Sequence, residues 1–196
     1  MRTHFSVLPL VAASLLAGCV ASIPPASVTR FHLGQPIATG TVLIEPLTPS
    51  DSQSLEFQAY AAAVAAAIPA AGLTPGQGSA TPWIAAIDVS RSSRPALRKS
   101  SPITIGIGGG TGGYGSGVGL GASLGLGGSR ASETITTRLS VRLMRRSDRS
   151  TVWEGRAETE APSNAPAAQP GLAAEKLAKA LFKDFPGESG KTVLVR

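Results

Sequence analysis

The stretch ITTRLSVRLMRRSDRSTVWEGRAETE, residues 135–160, decides the fold. Ile135, Leu139, Val141 and Leu143 fall on one side of an extended chain and Arg138, Arg142 and Arg146 on the other, the period-two alternation of a half-buried strand. Val152 to Glu160 repeats the pattern, with Trp153, Gly155 and Ala157 opposite Glu154, Arg156 and Glu158. Pairing Met144 with Val152 sets Arg142 across from Glu154 and Arg138 across from Glu158, whereas a two-residue shift sets Arg142 against Arg156. Charge selects the first register and predicts an antiparallel pair.

Other elements extend outward from that pair. Upstream, Trp83, Ala85, Ile87 and Val89 alternate with Ile84, Ala86 and Asp88, which predicts a strand. Val28 to Leu33 reads as another, with Thr29, Phe31 and Leu33 facing one way and Val28, Arg30 and His32 the other. Gly34 and Gly40 bracket a turn, and Thr41 to Glu45 forms a β-branched strand that Pro46 ends. Ser50 with Gln53 reads as a capping box for a helix. Its apolar stripe is Phe57, Tyr60, Val64 and Ile68, among alanines that allow close approach to a sheet, and Pro69 and Gly72 end it. Downstream, Ala161 to Pro170 reads as a loop, with Pro170 in the first turn of a second helix striped by Leu177, Leu181, Phe182 and Phe185. Pro186 and Gly187 break it, and Thr192 to Val195 returns as a last short strand. The sum is an α+β fold: a mixed, mainly antiparallel sheet with two helices packed on one face.

Between these halves lies a local glycine construction, with thirteen of the 23 glycines between Gly106 and Gly128. Ile103, Ile105 and Ile107 alternate with Thr104, Gly106 and Gly108; Val118, Leu120, Ala122, Leu124 and Leu126 alternate on the far side. Residues 103–128 thus read as a glycine-rich β-hairpin turning over Gly109 to Gly117, the other reading being a flexible loop. Gly108, Gly110 and Gly113 match a dinucleotide fingerprint, but no helix pattern follows and the stretch holds no lysine, so nucleotide binding is set aside.

At the start of the chain, Arg2 and His4 precede an apolar run from Phe5 to Leu16, closed by Leu16, Ala17, Gly18 and the single cysteine, Cys19. The run of about twelve residues is shorter than the roughly twenty that span a bilayer, so it reads as a removable signal. The small residues before Cys19 match a bacterial lipobox, in which the new N-terminal cysteine is lipidated and several acyl chains anchor it firmly. The organisation read from this is a signal peptide over 1–18, a lipidated N-terminus and Pro24-Pro25 tether over 19–26, and one domain over 27–196. Val20, rather than an aspartate, follows the cysteine, which favours the outer membrane facing the periplasm over retention at the inner one.

After Cys19, seventeen Lys and Arg stand against twelve Asp and Glu. Outside the inner membrane that excess suggests anionic envelope components rather than nucleic acid. Arg91, Arg94, Arg98, Lys99 and Arg130 flank the glycine stretch, with no Asp or Glu between Asp88 and Glu133. They are the candidate contacts to an anionic surface; a solvated strand edge explains them equally well. No catalytic set is found. His32 is the one histidine after Cys19 and has no sequence partner, no nucleophile elbow is present, and Glu154 with Glu158 reads more simply as cross-strand ion pairing than as an acid–base pair. No metal-ligand cluster and no cofactor motif is found either.

Ser101, Pro102 and Ile103 leading into the glycine repeat, the segment Leu139 to Ala157 with Trp153, Glu154, Gly155 and Arg156, and the closing Phe185, Pro186 and Gly187 resemble a family of proteobacterial lipoproteins known as domain of unknown function 4136. The resemblance covers most of residues 27–196. It implies a lipid-anchored α/β domain and brings no catalytic residues. The function expected is a non-enzymatic binding or scaffolding module at the outer membrane, with an accessory subunit of a lipid or polysaccharide export machine as the alternative. Its partners would be the membrane, through lipid on Cys19, and an anionic envelope component or a protein.

Overall fold

The computed structural model describes residues 24–78, 80–95 and 133–196. In chain order these form strands β1 (Ala26–His32) and β2 (Gly40–Pro46), helix α1 (Leu55–Ala67), strands β3 (Leu73–Pro75), β4 (Trp83–Pro95), β5 (Glu133–Arg145) and β6 (Thr151–Pro162), helix α2 (Pro170–Phe182) and strand β7 (Thr192–Val195). A seven-stranded sheet runs in the order β3-β2-β4-β5-β6-β1-β7. Neighbours from β4 through to β7 are antiparallel, while β2 lies parallel to both β3 and β4. Parallel neighbours need a crossover, and α1 lies within the one between β2 and β4. The fold is therefore α+β, with a mixed and mainly antiparallel sheet, as the sequence predicts.

Charge selects the β5–β6 register as argued: Arg138 lies opposite Glu158 and Arg142 opposite Glu154. One detail differs. Leu143 pairs with Trp153 but Met144 pairs with Thr151, so Val152 is an extra residue at a bulge rather than the partner of Met144. The bulge lets the strands leave the ladder for the turn, where Arg149 takes a positive φ of 59°.

Both helices cover the face that carries Trp83, Ala85 and Ile87 of β4, Leu139, Val141 and Leu143 of β5, and Trp153 and Ala157 of β6. α1 contributes Tyr60, Ala63, Val64 and Ala67, and its alanines let it lie close to both α2 and the sheet. α2 contributes Ala174, Leu177, Ala178, Leu181 and Phe182. The opposite face is a mosaic of paired charges. Arg138 meets Glu158 at 2.6 Å, Arg94 meets Glu160 at 2.6 Å, and Glu154 lies 2.6 Å from Arg156 and 3.6 Å from Arg142.

Several boundaries move from their predicted places. The cap of α1 is Ser54, whose Oγ accepts from the Phe57 amide at 3.4 Å, because Pro49–Gln53 is taken up in a separate 3₁₀ turn that includes the predicted capping box. β4 continues six residues past Val89 through Ser90–Pro95, polar residues held by pairing with β5 rather than by burial. β6 likewise runs to Pro162, into the predicted loop. β1 begins at Ala26, which is fully buried and pairs with Val195, so the domain takes in the last residue assigned to the tether. Phe185 lies beyond the end of α2 and packs on the core from the following turn. The glycine-rich hairpin predicted at 103–128 lies outside the described residues, as does Cys19.

Candidate functional site

β1 presents Val28 and Arg30 inward and Thr29 and Phe31 outward, and only 5% of Arg30 is exposed while 46% of Phe31 is. Arg30 ends beneath the C-terminus of α2. Its Nε donates to Leu181 O at 3.0 Å and its Nη2 to Ala180 O at 2.9 Å and Lys183 O at 2.7 Å. The last carbonyls of a helix lack intrahelical donors and form the negative end of its dipole, so a planar cationic fork suits them on both counts. Burial pulls the guanidinium below its ordinary pKa, and the nearby Asp184 carboxylate pushes it back up. An arginine keeps its proton in this range, so the cap is charged.

The turn after α2 is fastened to the same place. Gly187, with φ of 80°, lies against Arg30; a Cβ there would stand 2.6 Å from Arg30 Cδ. His32 Nε2 donates to Gly187 O at 3.0 Å while its Nδ1 accepts the Gly34 amide at 3.1 Å, so both ring nitrogens are engaged by backbone. Trp153 Nε1 donates to Pro186 O at 3.0 Å. The indole folds back over Gly155, where a Cβ would meet Trp153 Cη2 at 2.3 Å and Leu181 Cδ1 at 2.8 Å. Phe182 stacks on Trp153 at a centroid distance of 5.8 Å and Phe185 tilts against it at 5.1 Å. Trp153, Gly155, Phe185, Pro186 and Gly187, which carry much of the family resemblance, thus form one packed cluster with no reactive group facing solvent.

Of the predicted anionic-surface contacts, Arg91 donates to Ala168 O at 2.7 Å and Arg94 is paired with Glu160. The interval from 89 to 132 is free of acid in sequence, but the sheet brings Glu160 across from β6, so Arg94 is compensated in space. Arg98, Lys99 and Arg130 lie outside the described residues. Glu154 and Glu158 are both held in ion pairs, the simpler of their two predicted roles. Among the described residues no three His, Cys, Asp or Glu side chains cluster as metal ligands, and no helix is long and apolar enough to cross a membrane. Beneath α1, the Tyr60 hydroxyl is fully buried and has no hydrogen-bond partner among the described residues, and burial raises its pKa to about 12, with Arg91 opposing and Glu56 adding to the shift.

The fold also gathers a second arrangement that alternation along the strands does not mark. Lys176, Lys179, Lys183 and Arg196 surround Pro24 in a surface recess of about 290 Å³. Lys176 Nζ donates to Pro24 O and, at 2.8 Å, to Thr159 Oγ1, and its partial burial pulls its pKa down. Lysines at 176 and 179 are three residues apart, the helical spacing that puts them on one side of α2, and Lys183 follows just past the helix end; that spacing is the one sequence signal for the group.

An uncharacterized protein of Zymomonas mobilis is 36% identical to this chain, the match covering 88% of the chain and 80% of that protein. Among solved structures, a PelC dodecamer from Paraburkholderia phytofirmans is similar with a TM-score of 0.43 at 9% identity, covering 79% of this chain and 92% of that one. A PDZ domain protein from Parabacteroides distasonis gives 0.45 at 10% identity, over 88% of this chain and 39% of its own. A family profile matches residues 38–187, which include both the Trp153–Gly155 and the Phe185–Gly187 parts of the packed cluster. The chain belongs to the family described as Domain of unknown function (DUF4136).

Proposed function

We propose that this protein is a lipid-anchored, non-enzymatic binding or scaffolding module of the cell envelope, held at the outer membrane through Cys19 and facing the periplasm. The observation that carries the reading is the sequence Leu16–Cys19, which closes a short apolar run five residues before Pro24. The chemistry of the domain favours binding over catalysis. Its histidine is engaged at both nitrogens by backbone, and the Glu154, Glu158 and Glu160 carboxylates are held by arginines. Replacing Cys19 with serine and growing cells on labelled fatty acid tests the anchor: the variant should take up no label, and equal labelling of variant and parent overturns the reading. Crosslinking in intact cells then identifies what the module holds.

A further inference from the structure

The recess beside α2 combines position with charge. Because Lys176 holds the Pro24 carbonyl, the root of the N-terminal tether is fixed at its rim. Five residue steps lead from Cys19 to Pro24 and reach at most ~18 Å, so any membrane entered by lipid on Cys19 lies about that close to the rim of the recess. We infer that this recess seats the phosphate of an anionic phospholipid headgroup and turns the C-terminal half of α2 toward the leaflet that holds the anchor. The inference rests on the lipidated reading above.

Its charges are suited to that role. Lys176, Lys179, Lys183 and Arg196 line the recess with no Asp or Glu side chain among the described lining residues, and Ala180 and Val195 add apolar surface. Glu175 approaches Lys179 only at 3.7 Å with both side chains well exposed, an arrangement that holds a lysine weakly. By contrast, arginines on the open sheet face meet their glutamates at 2.6 Å. A helix C-terminus would ordinarily repel an anion, but here Arg30 occupies the carbonyls of Ala180, Leu181 and Lys183 from below. Flexible lysines can then extend over the helix end to a headgroup while their stems stay on the apolar surface.

The lipidated protein, inserted from detergent into the outer leaflet of preformed vesicles, provides the test. Lysine reactivity toward an impermeant acetylating reagent is read residue by residue by mass spectrometry, on phosphatidylcholine alone and on an equal mixture with phosphatidylglycerol. Lys179 and Lys183 should react several-fold more slowly on the mixed vesicles, and added salt should abolish the difference. Lys191, held by Glu188 at 2.8 Å at the other end of β7, should not change. Lys183→Glu alters an exposed side chain and should return the Lys179 rate on mixed vesicles most of the way to its phosphatidylcholine value, a shift of about fivefold for one lysine. Equal rates on the two vesicles, with the protein sedimenting on both, overturn the inference while leaving the anchor intact. Slowing by inorganic phosphate on phosphatidylcholine to the same degree overturns the headgroup as the source. Protein that sediments with neither vesicle and carries no fatty acid overturns the anchored reading itself.

Discussion

Replacing Arg30 with methionine isolates the role of the buried cap. Methionine keeps an apolar stem in the space and removes all three bonds to the end of α2. The bonds to Ala180 O and Leu181 O are buried, and each carbonyl left without a donor costs about 1–3 kcal/mol. The bond to Lys183 O is only partly buried, so water can replace much of it. Against these losses stands relief from holding a guanidinium out of water, which returns part of the total. A net destabilisation of about 3 kcal/mol follows, near the cost of breaking a buried charged contact. Urea unfolding measures it, with the slope unchanged if the denatured state is unaffected. Arg30→Lys, which keeps a charge but not the fork, should fall between the two. Arg30→Met within about 0.5 kcal/mol of the parent would refute the argument, because desolvation would then cancel the cap.

On the open face, a double-mutant cycle between Arg138 and Glu158 should give a coupling of about 0.2–1 kcal/mol, as for other exposed pairs of good geometry. The Arg142–Glu154 cycle should give less, since Arg142 stands at 3.6 Å and Arg156 competes for the same carboxylate; a larger coupling there would show that the pairs are ordered differently in solution. In the turn after β5, hydrogen bonds from the Ser150 hydroxyl and amide, more than the nearby Arg145, hold the Asp148 carboxyl below its ordinary pKa of 3.8. A depressed pKa in the folded state means this contribution is present above the unfolded value and is lost as pH falls through the folded one. Carboxyl NMR titration should place the Asp148 midpoint below 3.8, and Ser150→Ala should raise it; no movement would remove Ser150 as the cause.

What could be read from the sequence was what local alternation and cross-strand charge determine. Arg138 opposite Glu158 and Arg142 opposite Glu154 follow from a period of two and the rejection of like charges, and neither needs knowledge of the rest of the chain. Contacts made by residues far apart were not legible. Alternation put Val28, Arg30 and His32 on one face of β1, but apolar content favours Phe31 and Leu33 as the buried side, and Leu33 is 84% exposed. Arg30 faces inward because its partners are carbonyls about 150 residues away, which no window of sequence contains. Arg94 misled for the same reason: its partner Glu160 comes from a strand that is distant in sequence. The bulge at Val152 shifts pairing only where the charges run out, so nothing in the pattern marked it.

One local signal did bear on Arg30. α2 ends at Phe182 with Lys183 in an extended conformation and Asp184 at a φ of 54°, and no glycine supplies the left-handed turn that commonly closes a helix. Such an end leaves carbonyls in want of a donor, and the one arginine of β1, on the same side as the buried Ala26 and Val28, is the side chain best shaped to meet several at once. Trp153 over Gly155, with Pro186 and Gly187 beside Arg30, completes that closure. Among the described residues, Trp153, Gly155, Phe185, Pro186 and Gly187, by which this sequence resembles its family, are therefore those that fasten the end of α2 to the sheet. They specify how the domain holds together, and their polar groups are already engaged. A binding surface has to be sought among side chains that the fold holds loosely, and the exposed Lys179 and Lys183 beside Pro24 stand in that position.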